Sequence, residues 1–346
     1  MARNKSSVFF KIEQKFMKDA LESGVSVLKA SENSPQDGFT IIDELKAKEE
    51  ISLNIRKKQF VIMLKALPSV AGNYMIKIMS SVKKSFKVLY PYLEDPTRNV
   101  EDNINPKLWE DLNRYSRDKW GIIKIGFTKL PKELIFRDKL VLFPYVLVFM
   151  MEMDKKKIDT APNVQAGKEA MRIYAKLGIA VNDIADWLRS KGIRCQSNHP
   201  LRGLTLTPPL GGKSGMGWQG RQGLLITPEF GPRLRLAPIY IENKSFEFTD
   251  SLEHKWIEEY CKICNKCVME CPVGAIWEEK KVMGKRSTCI DIKKCFPYFS
   301  ETLGCSVCIK VCPFSEGYEF FESAKLNFAN FLNVLPSRKK KRNIMK

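Results

Sequence analysis

The chain has 346 residues, 44% of them apolar, and a formal net charge of +19. Its length points to about two domains, and its apolar content excludes wholesale disorder. The charge favours acidic partners: a small acidic electron carrier, an anionic membrane surface or a nucleic acid. Arg338, Lys339, Lys340, Lys341, Arg342 and Lys346 supply +6 of it, leaving +13 on the body. A solvated tail that only aids solubility is the plainer reading of that run.

The first ten residues carry one arginine and no long apolar core, so no secretory or twin-arginine signal is read there and a cytoplasmic location is expected. Residues 1–110 are lysine-rich and mostly helical in pattern, with Leu64, Leu67, Met75 and Met79 as helix-face positions around a break at Pro68; they hold no chemical motif. Residues 111–250 read as mixed α and β, with strands at 122–125 and 141–151. The longest apolar run, 140–151, contains Pro144 and is too short to cross a bilayer, so no transmembrane segment is expected.

Residues 168–191 give the strongest helix. Ala170, Ile173, Tyr174, Leu177, Val181, Ile184, Ala185 and Leu188 recur at helical spacing, and Gly192 stands where a helix-ending glycine belongs. Eight glycines then fall between Gly203 and Gly231, with Pro208 and Pro209 among them, marking tight loops. Short strands are expected at 224–226 and 234–236. A cysteine-rich module at 251–315 follows, then an amphipathic helix over 320–335 that stops near Pro336.

Nine of the ten cysteines lie between Cys261 and Cys312. The run Cys261-Lys-Ile-Cys264-Asn-Lys-Cys267-Val-Met-Glu-Cys271-Pro272 has the spacing of a bacterial ferredoxin loop, in which three thiolates hold one cube and the fourth reaches another. A second run, Cys305-Ser-Val-Cys308-Ile-Lys-Val-Cys312-Pro313, lacks one near ligand, which Cys289 or Cys295 must supply. The arithmetic closes on two 4Fe–4S clusters: Cys261, Cys264, Cys267 and Cys312 for one, and Cys271, Cys305, Cys308 and one of Cys289 or Cys295, with Cys295 favoured, for the other. Zinc is the competing reading, but paired zinc sites do not need two crossed Cys-Pro motifs. Cys195 reads as a core thiol.

Gly215-Met-Gly217-Trp-Gln-Gly220 matches the dinucleotide fingerprint in letters only. That fingerprint follows a strand and opens a helix, whereas here a Pro- and Gly-rich stretch precedes it and Leu-Leu-Ile-Thr-Pro228 follows. A nicotinamide cofactor is therefore rejected.

The longer stretch Ser214-Gly-Met-Gly-Trp-Gln-Gly-Arg-Gln-Gly-Leu-Leu-Ile-Thr-Pro-Glu-Phe-Gly-Pro-Arg-Leu-Arg-Leu236 closely resembles the signature of corrinoid-dependent reductive dehalogenases, and more weakly that of epoxyqueuosine reductases. Lys294-Cys-Phe-Pro-Tyr-Phe-Ser-Glu-Thr-Leu-Gly-Cys305, continuing to Pro313, resembles the dehalogenase second cluster motif, in which the cysteine matching Cys295 is a ligand. The segment from Ile173 through Ile193 resembles the family's helix. The likeness covers roughly residues 111–315.

The resemblance implies an α+β protein with a nitroreductase-like corrinoid-binding domain over 111–250 and a ferredoxin-like two-cluster domain over 251–320; the residue pattern adds a C-terminal helix with basic tail over 321–346. It implies a buried cobalamin reduced through the two clusters, with Gly215, Gly217, Gly220, Gly223 and Leu224 lining its pocket. By the same likeness Tyr174 is the proton donor, Arg235 assists it, and Asn198 lines the substrate pocket. The chemistry is coherent, because a tyrosine delivers a proton more readily when a nearby cation stabilises its phenolate, and glycines let backbone approach a flat macrocycle. The plainer readings are that Tyr174 is a core residue on an apolar stripe and that Arg233 or Arg235 is a surface charge. His199 reads as structural, and the lack of a D-x-H-x-x-G run argues against an axial histidine.

The leading expectation is a cytoplasmic reductase that takes electrons from a ferredoxin- or flavodoxin-type donor and reduces a small organic, possibly halogenated, molecule. An epoxyqueuosine-type tRNA reductase suits the charge, but that family's R-D-Y-H segment is not found before the glycine-rich stretch. A non-catalytic electron carrier or corrinoid-handling protein is the third reading, and contact of the basic tail with an anionic membrane or nucleic acid is a further expectation.

Overall fold

The computed structural model describes residues 8–31, 34, 72–94, 101–201, 203–249, 252–283 and 286–334. The expected helix-face positions Leu64 and Leu67, the break at Pro68 and the basic tail from Arg338 fall outside these residues.

The centre is a four-stranded antiparallel sheet. Its strands β2 (Ile125–Lys129), β4 (Tyr145–Glu152), β8 (Leu234–Ile241) and β5 (Cys195–Ser197) lie side by side in the order β2–β4–β8–β5. Strand β4 is buried on both faces: Leu147, Phe149 and Met151 join one core, and Val146, Val148 and Met150 the other. This is why the run reads as continuously apolar rather than alternating. Pro144 parts it from the short strand β3 (Leu140–Val141), which pairs with β1 (Leu28–Lys29).

The first core is closed by helices α4 (Pro106–Trp120) and α6 (Val164–Ser190). Asn105 caps α4 by accepting from Leu108 N at 3.0 Å, Pro106 opens it, and Gly121 ends it at φ 70°. Helix α6 is capped by Asn163, which accepts from Gln165 N, and Gly192 follows it at φ 81°. Its stripe Ile173, Leu177, Val181, Ile184, Ala185 and Leu188 is buried against the sheet. Buried Glu169 fixes its first turns, accepting from Asp154 N at 2.8 Å and from Arg172 Nε and Nη2 at 2.7 and 2.6 Å.

The second core holds helices α1 (Val8–Glu22) and α2 (Gly72–Lys87), through Phe16, Ala20, Ile78, Val82 and Phe86. The described helices of the first hundred residues thus share a core with the sheet, and no core ends at residue 110. On α2 Ile78 is buried, whereas its neighbour Met79, expected on a helix face, is 40% exposed. Between α2 and α6 a buried polar chain links Ser197 Oγ to Asn182 Oδ1, and Asn182 Nδ2 to Ser81, whose Oγ donates to Gly178 O.

Two strands differ from expectation. Strand β2 begins at Ile125, because 122–124 is the exit from α4; Gly126 lies inside it, where a Cβ would fall 2.3 Å from Ser214 Oγ. Strand β8 runs five residues beyond the expected 236, through Pro238. The carbonyl of Pro238 accepts from Asn198 N at 3.1 Å, so its missing N–H faces the side where β5 runs out, and its pairing with Val148 of β4 survives.

The C-terminal module comprises α8 (Trp256–Cys264), α9 (Lys266–Met269), the hairpin β9 (Ile276–Met283) and β10 (Arg286–Ile290), α10 (Ile292–Glu301), α11 (Val307–Lys310) and α12 (Tyr318–Val334). A third core of Ile226, Ile257, Phe314, Phe321 and Ala324, with Trp256 and Tyr260 packed on it, joins this module to the glycine-rich hairpin. Among the described residues no helix is long and apolar enough to cross a membrane.

Candidate iron–sulfur and reductase site

The two cysteine motifs share a backbone device. Asn265 follows Cys264 at φ 49° and starts α9; Ser306 follows Cys305 at φ 57° and starts α11. Each left-handed residue turns the chain between two cysteines, so that Cys267 and Cys308 sit on short helices facing their predecessors. Asn265 is a residue type that tolerates this region.

Eight of the thiols lie close together in the module, and some raise the pKa of others. Cys312 is raised by Cys261, Cys267 and Cys264, Cys308 by Cys295, Cys305, Cys267 and Cys271, and Cys295 by Cys271 and Cys305. Burial, followed by neighbouring thiols, pushes Cys308 up to about 12 and Cys295 up to about 11. Burial also lifts Cys261 to about 12 and Cys312 well above its ordinary value. A small cleft lies between Cys261, Cys264, Cys267 and Cys312, walled by Gln222, Tyr260 and Phe314. Among the described residues no three His, Cys, Asp or Glu converge on a single ion.

Cys289 stands apart. The charges acting on it are those of Lys280 and Arg221, and it packs against Gly223, where a Cβ would lie 3.5 Å from its sulfur. Cys195 is wholly buried in the first core, 3.4 Å from Ala185 O, and burial lifts it to about 12.

The module meets the sheet domain through close backbone contacts. A Cβ on Gly167 of α6 would lie 1.9 Å from Leu303 O, and one on Gly304 would lie 2.8 Å from Gly167 Cα. A Cβ on Gly231 would lie 2.3 Å from Phe314 O. Arg233, open to reading as a surface charge, is instead a buried clamp: its Nε donates to Ser315 O at 3.0 Å, and its Nη1 to Glu152 and to Met153 O at 2.5 and 2.7 Å. Lys310 Nζ donates to Ala161 O.

Arg235 lies on β8 opposite Met151, with its guanidinium carbon 4.9 Å from the ring centre of Tyr174 on α6. Its Nη1 donates to Leu234 O at 3.2 Å, and its buried Nε has no partner among the described residues. Asn198 is buried, and its Oδ1 accepts from Leu204 N at 2.9 Å, closing the loop after β5. His199 Nδ1 accepts from Leu201 N, its ring lies on Gly178, and burial pulls its pKa down to about 3, so it is neutral.

The glycine-rich segment leads from helix α7 (Thr207–Lys213) into the hairpin β6 (Trp218–Gln219) and β7 (Leu225–Ile226), the reverse of a dinucleotide site. Gly215 and Gly223 have φ of 71° and 85°. A Cβ on Gly217 would lie 2.0 Å from Ile226 O, and one on Gly220 would lie 2.6 Å from the Ile226 side chain. These close approaches are to the protein itself, and Leu224 packs on the first core. The features that sequence reasoning passed over here are polar. Arg221 Nε and Gln222 Nε2 are buried without a partner among the described residues, and the Arg221 backbone hydrogen-bonds Cys261. Nothing in the sequence marks them except their place within the signature.

The family described as a 4Fe-4S binding domain matches residues 254–277. Tetrachloroethene reductive dehalogenase of Sulfurospirillum multivorans is 28% identical over 211 residues, covering 56% of this chain and 40% of that one. Epoxyqueuosine reductase of Listeria monocytogenes is 31% identical over 124 residues, covering 31% and 29%. A solved reductive dehalogenase, described as suggesting a mechanism for B12-dependent dehalogenation, superposes with a TM-score of 0.56 at 17% identity over 77% of this chain and 41% of that one. The chain therefore spans less than half the length of these relatives. By sequence it is homologous to oxidoreductases of both names, by fold it is similar to a reductive dehalogenase, and it carries a 4Fe-4S binding domain.

Proposed function

We propose that the chain is a corrinoid-dependent iron–sulfur reductase of the reductive dehalogenase type. In this reading residues 251–320 carry electrons through two 4Fe–4S clusters, and residues 111–250, backed by the helices of 1–110, form a nitroreductase-like site where an organic electrophile such as an aryl halide is reduced. The observation that carries the reading is the Arg235 guanidinium over the Tyr174 ring, in a domain packed against the cysteine-rich module through Cys305 and Cys308.

The residues fit the groups required. Each quartet supplies the four thiolates of one cube. Arg221 Nε, Gln222 Nε2 and Arg235 Nε are buried donors without partners among the described residues, and the amides and phosphate of a corrinoid would satisfy such donors. When bound, the corrinoid supplies a reducing metal centre that no side chain offers. The tyrosine supplies the proton: the Tyr174 hydroxyl gives it to the reduced product, and the Arg235 cation stabilises the phenolate left behind. Asn198 holds its loop against β8 on the pocket's border.

The test is anaerobic reconstitution with iron, sulfide and cobalamin, followed by a screen of aryl halides with a low-potential donor. About eight irons, as two cubes require, one corrinoid per chain and turnover of at least one halide are expected. Protein with intact clusters that retains no cobalamin in any redox state would overturn the reading. Reduction of epoxyqueuosine in tRNA, with no halide reduced, would favour the alternative that the +19 charge suits.

A further inference from the structure

The segment that supplies four cysteines turns a distinct set of side chains outward. Ile263, between Cys261 and Cys264, is 61% exposed, and Met269, between Cys267 and Cys271, is 70% exposed. They are among the most exposed large apolar side chains described, although the cysteines beside them are half-buried or better. Lys262 and Lys266 stand next to them, also exposed, and exposed Glu270 adjoins Met269. Lys262 shares its charge with Glu259; Lys266 enters no ion pair among the described residues.

An apolar centre with a charged rim is the anatomy of a protein–protein contact. Electron-transfer encounters are the small, weak members of that class, below about 1,200 Å², and four residues on two successive short helices suit that scale. The site is also placed to serve both quartets. Helix α9 carries Cys267 of one and runs directly into Cys271 of the other, and it packs on α11, which carries Cys308. A partner seated on α9 therefore reaches either cluster over a short path.

Resting on the two-cluster reading above, we propose that Ile263 and Met269, rimmed by Lys262 and Lys266, form the docking surface for a small acidic one-electron carrier protein. The lysines and the chain's net +19 steer that partner, and the apolar pair seats it. One electron leaves the reduced carrier and enters an oxidised cluster; no bond forms or breaks and no proton moves.

Rapid mixing of reconstituted, cluster-loaded protein with a reduced acidic flavodoxin tests this. The bimolecular rate of cluster reduction should fall as salt rises, and Lys266→Glu should lower it by about 10-fold at low salt, within the range of electrostatic steering. Met269→Asp should lower it at high salt as well. Iron content should be unchanged in both variants, and reduced methyl viologen, a small cation, should reduce both at no less than the wild-type rate. Wild-type rates with flavodoxin in both variants, a rate indifferent to salt, or equal slowing with viologen would each overturn the docking surface. Wild-type protein that holds no clusters would fail earlier, at the reading beneath.

Discussion

The guanidinium of Arg235 sits over the ring of Tyr174 at 4.9 Å, joining strand β8 to helix α6. Tyr174→Phe keeps the ring that the guanidinium covers and removes only the acid. Turnover on any reducible substrate should fall by about 10²-fold or more, the scale of general acid catalysis, while cobalamin and iron contents hold. Stability should change by about 1 kcal/mol at most. Arg235→Leu should also slow turnover. Near-normal turnover in Tyr174→Phe would return the residue to the core.

Cys295 and Cys289 are six residues apart, but only Cys295 lies among other thiols. Cys295→Ala should lose iron from one cluster, and Cys289→Ala should lose none, as measured by iron and sulfide analysis. Equal loss in both would break the assignment of the second quartet.

Gly167 and Gly304 touch where the module meets α6. Gly167→Ala places a methyl 1.9 Å from Leu303 O. Backbone cannot retreat as a side-chain tip does, so a cost of about 1–3 kcal/mol is expected, read by denaturant unfolding. Gly192→Ala is the contrasting control. No atom lies within 4 Å there, and only the strain of φ 81° is felt.

Glu169 has a pH signature. Burial works to raise its pKa, but hydrogen bonds from Arg172 and Asp154 N, with the charges of Arg172 and Lys157, hold it below the ordinary value. A carboxylate depressed in the fold stabilises above its unfolded pKa, about 4.3, and that stability is lost as pH falls through the lower folded value. Glu169→Gln should cost about 2 kcal/mol near neutrality, and the gap from wild type should close below about pH 4. A gap that stays constant down to acid unfolding would refute the charged role.

Much of this was legible in the sequence for physical reasons. The α6 stripe and the cysteine spacing are local patterns, repeating at a helix period and a ligand period, so no tertiary knowledge is needed to read them. Pro238 hid half of β8, because a proline inside an inner strand is tolerated only where the neighbouring strand ends, and that is a fact of β5. Gly126 hid β2, because only Ser214 explains a glycine there. The glycine-rich signature was visible, but its reason was not: Gly217 and Gly220 make room for Ile226, while the buried polar atoms belong to Arg221 and Gln222. Arg233 and Arg235 alternate identically in sequence, and only Ser315 and Tyr174 tell the clamp from the ring partner.

The crossing of the cysteines has a consequence for how the module comes undone. In the proposed assignment each motif lends its last cysteine to the other's quartet: Cys312 joins Cys261, Cys264 and Cys267, while Cys271 joins Cys295, Cys305 and Cys308. With cubes in place these are two clasps, each shut through the other's strap. The first ties together residues about fifty apart, a loop long enough for a crosslink to restrain the unfolded chain strongly, and hairpin β9–β10 lies inside it. Neither strap can peel away alone without opening both clasps, so iron should leave as a single event rather than four atoms at a time.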